Sequence, residues 1–145
     1  MTDLAIPAGF EPLVTISNYV KELGPLHYRA EGRLKVLGLH VRPQHLNLHH
    51  NAHGGMLLTL ADTALGINLS GVQEPPIPMV TANLNAEFLA PAKEGDWVEA
   101  HVEILKQGRR LGFAECRLKV GERLILRASA TFAVVAPVVP EPSDG

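Results

Sequence analysis

A chain of 145 residues with 46% apolar side chains is long enough to bury a substantial core as one folding unit. The formal net charge of −2, with no basic run, argues against a nucleic-acid surface, and the single Cys116 excludes an internal disulfide. The start, Met1-Thr2-Asp3-Leu4-Ala5-Ile6-Pro7, has no basic residue and no long apolar run, so no signal peptide is read and a cytoplasmic location is the expectation.

Leu13, Ile16, Val20 and Leu23 recur at helical spacing until Gly24-Pro25, which predicts a short N-terminal helix. Ala30, Gly32, Leu34 and Val36 then alternate with charged residues as one strand. The apolar phase slips at Val36-Leu37, ahead of Gly38, and reads as a bulge. A polar loop over 47–55 leads into the apolar run Met56–Gly66, a long helix. The loop Gln73–Pro78 follows. Alternation returns at Ala82, Leu84, Ala86 and Phe88, at Val98 to Ile104, at Ala114 to Val120 and at Leu124 to Val134. Cys116 falls in one of these strands as a small core residue, and Gly108 and Gly121-Glu122 mark tight connections. The Pro-rich stretch 137–145 reads as a disordered tail. One domain over 1–145 is expected, with no repeat. Successive strands with short turns favour an antiparallel sheet, which would curl around the apolar helix.

The stretch Asn47-Leu48-His49-His50-Asn51-Ala52-His53-Gly54-Gly55 and the helix after it carry the chemistry. Two glycines at a helix start let a ligand approach the backbone, and the first N–H groups of the helix have no partner within it. Those donors and the helix dipole favour a developing negative charge. Asp62 lies nine residues after His53, on a face shared with Gly55, Leu58, Thr59, Leu65, Gly66 and Leu69. A helix apolar nearly all round reads as buried, and a carboxylate in apolar surroundings is the usual form of a tuned base. Oxyanion donors with a base describe acyl-transfer chemistry. Leu57, Leu58, Leu65 and Leu69 suggest an apolar acyl pocket. Asp62, Asn68 and the flanking glycines argue against a membrane span.

A different class of function starts from His45, His49, His50 and His53, which lie within nine residues and could hold zinc or copper. Pro43 and the Asn and Gly residues suggest a loop without helical ligand spacing, so no metal is expected. Lys93, Lys106, Arg109 and Arg110 lie at turns, either as solvated charges or as contacts for phosphates. No Gly-x-Ser-x-Gly motif and no evident Ser-His-Asp or Cys-His triad occurs.

Asn47, then His53-Gly54-Gly55, Leu60-Ala61-Asp62, Thr81, Phe88-Leu89-Ala90-Pro91-Ala92, Gly95-Asp96 and Gln107-Gly108-Arg109 form a spaced set. Over roughly residues 28–135 it resembles the hot-dog-fold acyl-CoA thioesterases of the phenylacetyl-CoA (PaaI-like) type. The resemblance implies an α+β hot-dog fold: a five- to six-stranded antiparallel sheet wrapped around one long central helix, with a short N-terminal helix. It implies hydrolysis of acyl-CoA thioesters of medium-chain or aromatic acids, without cofactor or metal, by a homodimer or homotetramer. The Gly54 N–H and the Asn47 side chain would hold the thioester oxygen. Asp62 would serve as general base or as nucleophile, Thr81 would orient the water or the carboxylate, and His53 would position the thioester or assist the leaving thiolate. Gly55, Leu58, Leu65, Arg109 and Arg110 would contact substrate. Some hot-dog proteins bind acyl-CoA without cleaving it, which stands as the alternative. Gly54 and Asp62 are eight residues apart, about 12 Å along a helix. A site containing both is therefore expected to be shared between antiparallel helices of two subunits.

Overall fold

The computed structural model describes residues 4–15 and 17–135. Its elements are β1 (Glu11–Pro12), α1 (Asn18–Leu23), β2 (His27–Glu31), β3 (Leu34–His40), a 3₁₀ turn (Pro43–His45), α2 (Gly54–Gly71), β4 (Met79–Phe88), β5 (Trp97–Gln107), β6 (Leu111–Val120) and β7 (Arg123–Val134). The strands form one seven-stranded sheet in the order β1-β2-β3-β5-β6-β7-β4, with every neighbouring pair antiparallel. The tail read over 137–145 lies outside the described residues, as does Ile16.

The strand expected over 29–36 is a hairpin. Gly32 takes φ +58° and, with Arg33, reverses the chain between β2 and β3. A positive φ is cheap for glycine and costly for a side-chain-bearing residue. The hairpin makes six strands of the five read along the sequence, and β1 adds the seventh. The β2–β3 register runs unbroken through Val36-Leu37, so the phase slip there is not a bulge. Val36 to Leu39 are all buried because β3 is covered on both faces. Leu37 and Leu39 join the core under α2. On the other face Trp97 lies over Gly38, with Phe10 edge-on to its ring at 5.1 Å. A Cβ at position 38 would penetrate the Trp97 ring. Gly38→Ala should therefore lower stability by about 1–3 kcal/mol, read as a lower midpoint in urea. An unchanged midpoint would mean that the ring moves aside freely.

The N-terminal helix is shorter than its periodicity predicts. Ser17 caps it by accepting from the Val20 N–H, and Leu13 lies before it, donating its N–H to the Leu26 carbonyl. α2 extends past the predicted run to Gly71 and buries Leu57, Leu60, Ala61, Ala64, Leu65 and Leu69 in the concave face of the sheet. Buried Asn68 is not adrift there. Its Oδ1 accepts from the Lys35 N–H at 2.7 Å and its Nδ2 donates to the Lys35 carbonyl at 3.0 Å, so α2 is tied to the backbone of β3.

The opposite side of α2 corrects the reading of an all-round buried helix. Gly55 is exposed, and Leu58, Thr59, Asp62, Thr63 and Gly66 are half-buried in the single chain, because the sheet wraps only one side. β4 follows α2 in sequence but sits at the sheet edge beside β7. Its pairing skips Ala82: Thr81 faces Phe132 and Asn83 faces Thr131. An extra residue in one strand reverses which side chains point inward before it. Thr81 and Leu84 therefore share the face toward α2, although they are an odd number of residues apart.

Candidate active site

Two groups of the candidate residues assemble, on two different clefts. The first is the loop into α2. Asn47 Oδ1 accepts from the N–H groups of His49 (2.9 Å) and Asn51 (3.1 Å), and the Asn47 N–H donates to the Asn51 carbonyl at 2.8 Å. The Asn47 oxygen therefore fixes the loop. Its Nδ2 donates to nothing among the described residues and is held in place by the bonds to Oδ1. Within this loop His50 has φ +60°, a left-handed conformation uncommon outside glycine. The His53 N–H donates to the His45 carbonyl at 2.7 Å and fixes the start of the helix.

His53 is the N-cap of α2. Its Nδ1 accepts from the Gly55 N–H at 2.9 Å, so the neutral ring carries its proton on Nε2. The His53 carbonyl accepts from Met56 and Leu57. Of the first-turn donors, the Gly54 N–H alone has no acceptor among the described residues. Such a group, at the positive end of an 18-residue helix, is suited to an oxyanion. Gly54 also meets the Phe88 ring: a Cβ there would lie 3.1 Å from Phe88 Cε1. Asn47 and His53 share a cleft of about 490 Å³ with Leu46, Leu48 and His49.

The second group lies further along α2. Thr81 Oγ1 donates to Asp62 Oδ1 at 2.6 Å, the short length of a bond to a charged acceptor. The bulge at Ala82 makes this contact possible by turning Thr81 inward. The bond occupies one carboxylate oxygen, and Oδ2 makes no hydrogen bond among the described residues. Asp62 and Thr81 line a cleft of about 200 Å³ with Gly55, Leu58, Thr59 and Leu84. Leu84, whose inward phase on β4 is legible in the sequence, also lines this cleft.

Of the four leucines expected around an acyl group, only Leu58 reaches this cleft. Leu57, Leu65 and Leu69 point into the sheet and are buried in the core of the single chain. Leu65 is therefore a packing residue, a correction that follows from the helix having a sheet on one side only. Arg109 and Arg110 sit exposed at the β5–β6 turn and line neither cleft.

The histidine cluster resolves into separate tasks. His45 is buried, with Nδ1 accepting from the Arg42 N–H at 2.9 Å and Nε2 at 2.8 Å from the Leu23 carbonyl, so both nitrogens are committed. Among the described residues no three side chains of ligand type converge on a metal position. Cys116 is not a candidate nucleophile: burial pushes its thiol up to about 12, leaving it protonated at neutral pH.

The pattern of the Thioesterase superfamily matches residues 49–128. An esterase candidate of Pseudomonas aeruginosa, PA0474, is 43% identical over 88% of this chain and 96% of its own length. The Escherichia coli acyl-coenzyme A thioesterase PaaI is 32% identical over 53% of either chain. The structure of the E. coli PaaI protein superposes with a TM-score of 0.76 over 83% of this chain and 86% of that one, at 23% identity. A hypothetical thioesterase protein of Streptococcus pneumoniae, solved with coenzyme A, superposes with a TM-score of 0.71 over 77% and 86%, at 25% identity.

Proposed function

Because this chain belongs to the thioesterase superfamily and has the hot-dog fold, we propose that it hydrolyses acyl-CoA thioesters of medium-chain or aromatic acids at a site shared by two subunits. The carrying observation is the pairing of a hydroxyl-oriented carboxylate, Asp62 with Thr81, with an unused N–H at the start of the same helix. Asp62 Oδ2 takes a proton from water as the water oxygen attacks the thioester carbon. The carbonyl oxygen, now negative, is held by the Gly54 N–H and Asn47 Nδ2. Collapse breaks the carbon–sulfur bond. CoA leaves as a thiolate, a better leaving group than an alkoxide because thiols are far more acidic than alcohols. The His53 Nε2–H is a hydrogen-bond donor for that thiolate, and the proton held by Asp62 passes to the sulfur, which restores the carboxylate. Asp62 as nucleophile would use the same carboxylate and the same donors.

The division into two clefts supports a shared site. Gly54 and Asp62 lie about 12 Å apart along α2, so one thioester cannot touch both within one chain. β4 is an edge strand, its Val80 and Phe88 and the following Leu89 are exposed, and the open side of α2 carries Leu58. A second copy packed with its α2 antiparallel would cover this apolar surface and bring its Gly54 to Asp62. In that arrangement the β5–β6 turn, near the C-terminal end of α2, would carry Arg109 and Arg110 toward the partner loop and the CoA phosphates. Among the described residues no helix is long and apolar enough to cross a membrane.

The test is thiol release from a panel of acyl-CoA esters, with and without EDTA. Release that survives exhaustive chelation is expected, since the route needs only a carboxylate, oriented donors and water. Binding of the esters without release would support the non-catalytic alternative. Loss on chelation with recovery on zinc would support a metal reading.

A further inference from the structure

α1 carries a side chain that this mechanism does not use. Tyr19 reaches across the open side of α2 to within 3.2 Å of Thr59 Oγ1. Thr59 Oγ1 donates its proton to the Gly55 carbonyl at 2.9 Å, so in the bond between them the Tyr19 O–H is the donor. Tyr19 is 69% exposed in the single chain, so within that chain the hydrogen bond rather than packing holds it in place. α1 has six residues and buries only Leu23, so the platform under the ring is the kind of element that opens at low cost.

The Tyr19–Thr59 bond lies on a boundary between clefts. Thr59 lines the cleft of about 200 Å³ that holds Asp62 and Thr81. Tyr19 lines a larger one of about 730 Å³ between α1, the 3₁₀ turn and the first turn of α2. Leu23, Leu46 and Met56 give that larger cleft an apolar part, and Glu22 and Gln44 are polar groups on its wall. Gly55, which has no side chain, borders both.

We infer that Tyr19 is a specificity-determining latch. Docked on Thr59, it closes the small cleft around a compact acyl group. Undocked, it joins the two clefts into one trough that takes a long linear acyl chain. The inference rests on the acyl-CoA reading above. One neutral hydrogen bond is a weak closure, and burying about two methylenes outweighs it. A long chain can therefore open the latch, at a cost in affinity that shorter chains do not meet.

The experiment compares full-length wild type, Tyr19→Phe and Tyr19→Ala on hexanoyl-CoA and dodecanoyl-CoA, with kcat and KM determined separately. Thiol release by wild type from hexanoyl-CoA is measured first, so that failure of the acyl-CoA reading is separated from failure of the latch. The ratio of kcat/KM for dodecanoyl over hexanoyl should rise a few-fold in Tyr19→Phe, which removes only the bond. In Tyr19→Ala it should rise roughly tenfold or more, through KM for the long chain. Ratios within twofold of wild type in both variants would overturn the latch, as would equal losses on both substrates. A rise in Tyr19→Ala alone would overturn it in favour of a fixed wall.

Discussion

Asp62→Asn lowers kcat for acyl-CoA hydrolysis by about 10²–10⁴-fold, the usual contribution of a general base, and leaves the melting temperature close to that of wild type. The substitution is nearly isosteric. Its amide oxygen can still accept the bond that Thr81 Oγ1 now makes to Oδ1 at 2.6 Å, so the pairing of β4 with α2 is kept. What disappears is the second, basic carboxylate oxygen, which Thr81 leaves unbonded. Asp62 is half-buried on the open side of α2 and anchors nothing in the core, so a stability effect cannot imitate a catalytic one. A loss well beyond this range would favour the nucleophilic route through an anhydride. Turnover near that of wild type would remove Asp62 from the chemistry.

The candidate site was legible in the sequence where it depends on local order and hidden where it depends on register. His53-Gly54-Gly55 ahead of an apolar run announces a helix N-terminus, and the structure leaves the Gly54 N–H without an acceptor among the described residues. The pairing of Thr81 with Asp62 could not be read that way. Plain alternation puts Ala82 and Leu84 on the face toward α2 and Thr81 on the other. The bulge at Ala82 reverses this, and no residue there signals it, since alanine has no special backbone preference. Leu65 was misassigned for a related reason. A helix wheel tells which residues share a face but not which face the sheet will cover. The hairpin at Gly32-Arg33 was missed because apolar and charged residues keep alternating straight through the turn, so that periodicity continued where the chain reversed.

The phase slip at Val36-Leu37 has the opposite lesson. It was real in the sequence, but its cause is a second covering layer, Trp97 and Phe10 packed on the outer face of β3. Trp97 begins a strand about sixty residues downstream. A pattern produced by contacts at that separation cannot be told from a bulge by inspection of neighbours.

Mixing two inactive proteins measures the shared site most directly. Asn47→Asp keeps an oxygen to accept from His49 and Asn51, so the loop survives, but it replaces the Nδ2 donor with negative charge where the oxyanion must form. Asp62→Asn removes the base. If the oxyanion donors of one subunit serve the carboxylate of the other, a mixed dimer holds one site with both halves intact and one with both damaged. Random exchange at equal concentrations makes half the dimers mixed, so about a quarter of wild-type activity should return. Subunit exchange is verified separately with differently tagged chains. Recovery near a quarter is the predicted result. Demonstrated exchange with no recovery would contradict the account, because it would place Asn47 and Asp62 in the same site of a single chain.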